Sequence, residues 1–364
     1  MTARLLYRGP GERSRTGFLL NAVKRAYGST GFSYVVPHGD SARARTILHR
    51  LGVNATDFTA VQVMDGRVSR AVSTMRALRR VGDRDEPMVA VGFTSIAYGR
   101  VAAKGALVWC VNGIPEERLL EQGRIRDRIY VDAAWRTARA GRRPDLVVAV
   151  SQAMADVITE RCGSMRTFVA PNCVDLEIFR APAQASRRYL TYLGWGAPWQ
   201  NLDQLARVWG LLARRRPDLR FRVVSKDDRT RVLGREVGDQ AIEFRRGNDS
   251  ATIAALLYEA SVGFILRRPG LVNRVAFPTK FGEYVAAGVP VVATDLDWDL
   301  TRIIRETGCG VVVSSSDSDE RVADEILRLL DRASDPRLSS GCEMAAKSLD
   351  RARWELELAE ALPR

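Results

Sequence analysis

The chain has 364 residues, of which 46% are hydrophobic and 27% are charged, a composition that excludes disordered, collagen-like and low-complexity proteins. The length predicts about two domains, each large enough to bury a core without disulfide bonds or structural metals. The 56 Lys and Arg residues exceed the 43 Asp and Glu residues, giving a net charge of +13, which is +11 in residues 1–180 and +2 in residues 181–364.

Short runs rich in Val and Ile alternate with helical patterns along the first half, which is typical of parallel strands buried on both faces of an α/β sheet. The predicted strands of this half are residues 4–7, 32–36, 88–91, 106–111, 146–150 and 167–170. A glycine-containing loop, residues 9–17, follows the first strand. Thr16 is predicted to cap a helix over residues 18–26.

Residues 175–187 are predicted to form a linker, after which strands and helices alternate again. Strands are predicted at residues 189–193, 220–224, 242–245, 262–266, 289–293 and 310–313, and helices at 202–215, 251–260, 280–287, 299–306 and 319–330. Residues 349–362 form a terminal amphipathic segment that is predicted to dock onto another element.

This pattern predicts two tandem Rossmann-like, doubly wound α/β domains with a cleft between them. The first domain would span residues 1–180 and be joined by a C-terminal helix, 346–364, that crosses back to it. The second would span residues 181–345. Ligands of such sheets bind at the carboxyl ends of the strands, so the loops that follow strands are the candidate site.

No apolar run approaches the roughly 20 residues of a transmembrane helix, and the first residues lack the apolar core of a signal peptide, so we expect a cytoplasmic protein. The five cysteines agree, because they are odd in number and nowhere form a zinc-ligand spacing. Two histidines, His38 and His49, argue against a His-based metal site or a Ser/Cys–His nucleophile.

Residues 277–295 (FPTKFGEYVAAGVPVVATD) are the most informative segment. Thr279 and Lys280 open a helix, whose unpaired N–H groups and positive dipole suit a phosphate. Glu283 lies one turn further, where its carboxylate could accept hydrogen bonds from ribose hydroxyls. Residues 288–290 (GVP) make a tight turn into the next strand.

This segment resembles the donor-site helix of GT-B glycosyltransferases, specifically family 4 (glycosyl transferases group 1). Three further stretches are similar to the same family in the same order: residues 148–163, 170–179 and 192–205. Residues 244–266 and Trp354 also fit, whereas residues 1–144 are similar mainly through 111–119 (VNGIPEERL). Together the four ordered motifs are strong evidence.

The resemblance implies a role for Glu283 in binding the nucleotide ribose, and for Thr279 and Lys280 near the diphosphate, with Lys280 also a catalytic candidate. Glycines of the first loop are candidates for close backbone approach to the donor phosphates: Gly9, Gly11 and Gly17. An ordinary strand-to-helix turn explains those glycines equally well, since no GxGxxG is present.

Three positions depart from the family pattern. Val275 stands where relatives commonly have an acidic residue, and Trp195 after Gly194 and Gln200 stand where relatives commonly have an Arg and a Lys that clamp the pyrophosphate. The diphosphate charges still need partners. Besides Lys280 the candidates are Lys226, Arg267 or Arg268, and Arg274, for which a solvated surface side chain is the alternative. Gly194 and Gln200 are themselves donor-binding candidates.

Acceptor candidates lie in the first half. Asn112 follows a predicted strand and is both a catalytic and an acceptor-binding candidate, because it could bind a hydroxyl of the donor sugar or of the acceptor. Asn-Gly is also a common turn. Glu116 and Glu117 follow it: Glu117 is a catalytic candidate and Glu116 an acceptor ligand, although acidic residues also simply favour the start of a helix. Arg13 and Arg15 are further acceptor-binding candidates.

Two other signals are discounted. The acidic run 295–299 contains a DxD pattern, but the resemblance implies a metal-independent family, and helix capping by Asp299 explains it better. The Arg-rich run 118–143 lies beside apolar residues and could dock on an anionic membrane; a solvated helix covering the core of the domain is equally plausible.

The resemblance therefore implies transfer of a sugar from a UDP- or GDP-sugar to an acceptor hydroxyl, with retention and without cofactor or metal, in cell-surface glycan, glycolipid or natural-product glycoside biosynthesis. The +11 charge favours an anionic, lipid-linked or small-molecule acceptor, with peripheral association at the inner face of the plasma membrane, and no nucleic-acid partner is expected. The alternatives are a degenerate, non-catalytic homologue that binds a sugar nucleotide and a basic nucleic-acid- or membrane-binding protein.

Overall fold

In the computed structural model the described residues are 3–7, 13–28, 30–37, 58–63, 87–180, 182, 186–235, 237 and 242–363. The chain folds into two compact units. Unit 1 comprises Met1–Pro171 and Ala352–Arg364, and unit 2 comprises Asn172–Arg351. Within the described ranges no helix is both long enough and apolar enough to cross a membrane.

Unit 1 is built on one parallel sheet of seven strands, in the order β3-β2-β1-β4-β5-β6-β7. Its strands are β1 (Ala3–Tyr7), β2 (Thr30–Pro37), β3 (Phe58–Val63), β4 (Met88–Val91), β5 (Leu107–Val111), β6 (Leu146–Ala149) and β7 (Thr167–Val169). Its first helices are α1 (Arg13–Tyr27), α2 (Gly92–Ala102), α3 (Glu116–Gln122), α4 (Ile125–Arg139) and α5 (Gln152–Cys162). Strands β4, β5 and β6 are buried along their whole length, as continuous apolar runs between two helix layers require.

Unit 2 repeats the design with six parallel strands in the order β10-β9-β8-β11-β12-β13. Its strands are β8 (Tyr189–Leu193), β9 (Arg220–Val224), β10 (Ile242–Arg245), β11 (Ala260–Ile265), β12 (Val291–Asp295) and β13 (Gly310–Ser314). Its helices are α6 (Leu176–Phe179), α7 (Leu202–Arg215), α8 (Ser250–Tyr258), α9 (Leu271–Val275), α10 (Thr279–Ala286), α11 (Asp299–Thr307), α12 (Asp319–Asp331) and α13 (Pro336–Ser348), with a 3-10 turn at Asp228–Gly234. Trp209 packs against Phe221 and Phe264 in the centre of the core, with ring centroids 4.9 and 5.7 Å apart.

The last helix, α14 (Arg351–Ala361), packs within unit 1, apart from its first residue. The Glu355 carboxylate accepts a hydrogen bond from Asn21 Nδ2 at 2.9 Å, and the Trp354 ring meets Phe168 edge-on at 6.2 Å. The chain therefore returns to the unit in which it began. Both sheets, with helices on both faces, confirm the predicted pair of Rossmann-like folds.

The two chain crossings between the units run side by side in the backbone of unit 2. Val174 pairs with Asp350 in a parallel bridge. The Val174 N–H donates to the Leu349 carbonyl, and the Arg351 N–H donates to the Val174 carbonyl, both at 3.0 Å. The segment between these crossings is thus a closed structural unit.

The prediction that Thr16 caps a helix starting at Phe18 was wrong. Helix α1 already begins at Arg13, so Thr16 lies inside the helix and cannot be its N-cap. The first turn (RSRTG) lacks apolar residues, so the hydrophobic period becomes visible only from Phe18 onward.

Candidate functional site

The candidate site of unit 2 lies at the carboxyl end of β8, where the strand order reverses between β8 and β11. Ligands of doubly wound sheets bind at such reversals. Helix α10 is fastened to this strand end by Tyr284, whose buried hydroxyl accepts from the Leu193 N–H at 2.7 Å and donates to the Thr191 carbonyl at 3.0 Å. The N-terminus of α10 is therefore held in a fixed place beside the loop that follows β8.

Lys280, the second residue of α10, sends its ammonium group to the start of that loop. A Cβ added at Gly194 would lie 2.2 Å from Lys280 Nζ, and Gly194 has φ +144°, a conformation that residues with a side chain rarely adopt. Nζ also lies 4.8 Å from the ring centroid of Tyr192. Glycine is thus required for the close approach of the ammonium group to the backbone.

The Lys280 ammonium is buried and has no hydrogen-bond partner in the part of the chain that the structure describes. Burial, together with the nearby Arg267 guanidinium, lowers the pKa of Lys280 from 10.5 to about 7, and the Glu283 carboxylate opposes this shift only in part. A buried cation without a partner is unfavourable unless an anion pairs with it. The arrangement is therefore suited to receive an anionic ligand.

Glu283 lies one helical turn after Lys280. Burial raises the pKa of the Glu283 carboxyl from 4.5 to about 7, and the charge of Lys280 opposes that shift without cancelling it. The local environment thus disfavours charge of either sign. A ligand that brings both phosphates and hydroxyl groups offers a partner to each of the two groups.

Arg267 supplies a second buried cation in this part of unit 2, with 6% of its surface exposed. Its Nη1 donates to Asn273 Oδ1 at 3.0 Å, and the guanidinium lies 5.5 Å from the Trp298 ring centroid. Asn273 is held in turn by donating to the carbonyls of Trp199 and Arg268, at 2.8 and 2.6 Å. Arg267 is therefore fixed by a network rather than free to rotate.

Of the two neighbouring arginines, Arg268 is the one on the surface, where its Nη2 forms a 2.7 Å ion pair with Asp203. Lys226 is also exposed, and its Nζ donates to the Asn248 carbonyl at 3.3 Å. Arg274 is exposed and lines an open pocket of about 350 Å³ together with Asp295 and neighbouring loop residues. None of these three is buried with Lys280.

Two further predicted donor-side residues, Thr279 and Gln200, lie in the same unit. Thr279 is the first, half-buried residue of α10. Gln200 is 6% exposed, its backbone bridges Arg267, and its buried side-chain oxygen has no hydrogen-bond partner among the described residues. Val275, which replaces the acidic residue of the family pattern, is buried in α9.

Trp195 is 68% exposed, directly after Gly194. Its backbone is fixed, because Tyr192 Oη donates to the Trp195 carbonyl at 2.8 Å and the next N–H, of Gly196, donates to Asp227 at 2.9 Å. From the sequence alone, Trp195 is notable only because it stands where relatives commonly have an arginine. The structure adds that a large aromatic surface is presented to solvent beside the candidate site.

The predicted acceptor residues of unit 1 lie after β5. The Glu117 carboxylate accepts a hydrogen bond from the Ile114 N–H at 3.3 Å, and it lies so close to Gly113 that a Cβ at Gly113 would clash with it. Glu116 accepts from Trp135 Nε1 at 3.0 Å and pairs with Arg161. Both carboxylates thus have partners inside unit 1, in the first turn of α3. Asn112 is half-buried just after β5.

The other predicted residues of unit 1 are less fully described. Gly9 and Gly11 lie outside the described residues. Arg13, Arg15 and Gly17 lie in the first turns of α1, and their side chains are outside the description. Their predicted roles stay predictions.

Residues of the acidic run 295–299 form local contacts within unit 2. Asp295 pairs with Arg305, and Asp297 has φ +52° and donates its N–H to Asp295. The prediction that Asp299 caps the next helix was wrong by one residue, because the N-cap is Trp298 and Asp299 is the first helical residue, where its charge still suits the helix dipole. Among the described residues no group of three His, Cys, Asp or Glu side chains is placed to hold a metal ion.

Comparison with known proteins adds the family. The family model described as "Glycosyltransferase Family 4" matches residues 33–178, and the model "Glycosyl transferases group 1" matches residues 187–332. The two ranges do not overlap and together span most of the chain. No curated protein sequence matches the chain.

Solved structures resemble the chain over nearly its full length. Sucrose-phosphate synthase from Thermosynechococcus elongatus has a TM-score of 0.77 at 14% identity, covering 99% of this chain and 98% of the other. HepE from Anabaena, solved in complex with UDP-glucose, has a TM-score of 0.74 at 16% identity, covering 99% of both chains. WaaG, a glycosyltransferase involved in lipopolysaccharide biosynthesis, has a TM-score of 0.70 at 14% identity, covering 99% of both chains. With both halves matched by models of one family and the doubly wound fold repeated in each unit, the chain belongs to the family 4-like glycosyltransferases of the GT-B fold.

Proposed function

We propose that the chain transfers a sugar from a nucleotide diphosphate sugar to an acceptor hydroxyl, with UDP-sugars as the first donors to test and GDP-sugars as the alternative. The observation that carries the proposal is the buried Lys280 ammonium beside Gly194, which has no hydrogen-bond partner among the described residues. A diphosphate would supply the missing negative charge. The structure of HepE with UDP-glucose supports starting with uridine donors.

In this proposal the N-terminus of α10, with Thr279 and Lys280, holds the diphosphate, and the buried Arg267 adds positive charge from the neighbouring loop. Glu283 accepts hydrogen bonds from the ribose hydroxyls. Ionised Glu283 is the better acceptor, and protonated Lys280 is the form that pairs with a diphosphate. Donor binding should therefore weaken as the pH falls below the raised pKa of Glu283 and as it rises above the lowered pKa of Lys280, both about 7.

The proposed reaction retains the configuration at the anomeric carbon. The bond from that carbon to the β-phosphate oxygen breaks, the bond to the acceptor oxygen forms on the same face, and the acceptor proton passes to the departing diphosphate. No protein nucleophile is needed, so the residues act by alignment and by stabilising the charge that grows on the leaving group. We propose that neither a metal nor another cofactor takes part.

The proposed acceptor is anionic, either lipid-linked or a small molecule, and is bound by unit 1, in a cytoplasmic pathway for a cell-surface glycan, a glycolipid or a natural-product glycoside. The charge of +11 in residues 1–180 supports this class. Candidates for its binding are Arg13, Arg15, Asn112, Glu116 and Glu117.

A release assay tests the proposal. The protein is incubated with UDP-, GDP- and dTDP-sugars, with and without EDTA, and free nucleotide is measured. We expect EDTA-insensitive release from one of them, with a much lower rate in Glu283→Gln. Glu306→Gln is the matched control, because Glu306 is an exposed helical glutamate that pairs with Arg302. If no nucleotide is bound or released, the transferase proposal fails.

A non-catalytic homologue is the second candidate. It is favoured by the joint replacement of three family residues at Val275, Trp195 and Gln200, which removes a carboxylate and two cations from the pattern. Tight nucleotide binding in calorimetry without any release or transfer would support this candidate over the enzyme.

A further inference from the structure

An apolar and basic face stands out on unit 1. Among the described residues, three large hydrophobic side chains within ten positions are strongly exposed: Leu120 (51%), Ile125 (82%) and Ile129 (65%). Leu120 lies in α3 and the two isoleucines in the first turns of α4. Ile125 and Ile129 are four residues apart and therefore share one side of the helix.

The structure separates this face from the core of unit 1. Helix α4 buries Trp135 and Ala138, and the Trp135 ring packs on Phe93 with centroids 4.7 Å apart. Ile125 and Ile129 contribute nothing to that packing, since most of their surface is in solvent. The sequence left open whether this Arg-rich run covers the core or docks on a membrane. In the structure α4 covers the core with one side and leaves the side with Ile125 and Ile129 exposed.

Arginines surround the exposed isoleucines. Arg124, Arg126, Arg128 and Arg136 are all exposed, and no ion pair joins any of them to a carboxylate in the part of the chain that the structure describes. Asp127, which lies between them in sequence, is buried and paired with Arg118 at 2.8 Å, so it adds no negative charge to the surface. The exposed acidic residues nearby are Glu121 and Asp132.

We propose that this face, formed by Leu120, Ile125, Ile129 and the four arginines, binds an anionic lipid bilayer. The isoleucines would enter the boundary between headgroups and acyl chains, and the arginines would contact lipid phosphates. Isolated protruding side chains suit a fluid bilayer better than a protein partner, because three residues cover far less than the roughly 800 Å² that a stable protein interface needs on each side. Nucleic acid would leave the isoleucines without a contact.

Vesicle sedimentation tests the proposal with the full chain. Binding is measured to phosphatidylcholine vesicles and to an equal mixture of phosphatidylcholine and phosphatidylglycerol, at low and high salt. We expect binding to the anionic vesicles that weakens with salt. The pair Arg126→Gln and Arg128→Gln should lower the partition coefficient about 25-fold. The pair Ile125→Ser and Ile129→Ser should lower it about tenfold even at low salt.

The control is Met344→Ser with Arg337→Gln in unit 2, which removes an apolar side chain that is 50% exposed and a surface charge elsewhere. This variant should bind vesicles like the original protein. Equal binding by all variants, or no preference for anionic vesicles, would overturn the proposal. So would a shift of the isoleucine variant from dimer to monomer in size-exclusion chromatography, because a second copy would then be the partner. None of the substituted residues is a candidate for donor binding, so nucleotide release should be unchanged in every variant, and failure here leaves the proposed transfer reaction untouched.

Discussion

Replacing Lys280 with methionine separates the stability of unit 2 from its affinity for nucleotide. The substitution keeps an unbranched apolar side chain of similar size and removes only the ammonium group. Lowering the pKa of Lys280 from 10.5 to about 7 corresponds to roughly 5 kcal/mol of unfavourable free energy in the nucleotide-free fold at neutral pH. The substitution does not recover all of this free energy, because Glu283 then loses the opposite charge of Lys280 beside it. We therefore expect Lys280→Met to raise the free energy of unfolding by about 1 to 3 kcal/mol, with a Tm several degrees higher.

The same variant should lose its affinity for nucleotide. Removing a cation that faces a developing or bound anion typically costs about 2.7 to 4 kcal/mol, so UDP should bind about 100 to 1,000 times more weakly. Differential scanning calorimetry gives the stability and isothermal titration calorimetry gives the Kd. Lys347→Met is the control, because Lys347 is an exposed lysine paired with Glu343. A variant that is less stable but binds UDP as before would refute the reasoning, since Lys280 would then be part of the packing and not of an anion site.

Three further predictions concern the same site. Gly194→Ala would place a Cβ 2.2 Å from Lys280 Nζ and should weaken UDP binding by about tenfold or more. The control is Gly308→Ala, because Gly308 also has a positive φ but has open space around it, so this variant should lower only the Tm. Equal UDP affinity in the two variants would contradict the prediction. Trp195→Arg restores the cation of the family pattern and should tighten UDP binding about tenfold in calorimetry, with no change as the contrary result. In denaturant titrations without nucleotide, the free energy of unfolding should rise between about pH 7 and 10.5. In this range Lys280 is still protonated in the unfolded chain but has lost its proton in the folded chain. The Lys280→Met variant should not show this rise.

The sequence predicts unit 2 closely, because its periodic pattern and its turns agree. Helix α7 and strands β8, β9 and β10 have the predicted bounds. Helix α13 was not predicted, since its sequence (PRLSSGCEMAAKS) has little apolar periodicity, and a Cβ at Gly341 in its middle would touch the Thr307 carbonyl. That helix is determined by tertiary packing, which a single sequence does not display.

The candidate site shows the same limit. The pattern TKFGE predicts a helix start with a lysine and a glutamate one turn apart, and the structure places both there. It does not predict that the Lys280 ammonium is buried against Gly194, which belongs to a different strand end, nor that Arg267 is buried while Arg268 faces solvent. These depend on which loops meet at the reversal of strand order, and no local signal in the chain specifies that meeting.

The paired backbone at Val174 and Asp350 has a consequence for the independence of the two units. Unit 2 is one continuous stretch, Asn172–Arg351, whose ends are hydrogen-bonded to each other, so its fold needs no residue outside that stretch. Unit 1 is discontinuous, because the whole of unit 2 separates α14 from its other elements. A chain truncated after residue 351 should therefore keep a protease-resistant unit 2 and have an incomplete unit 1.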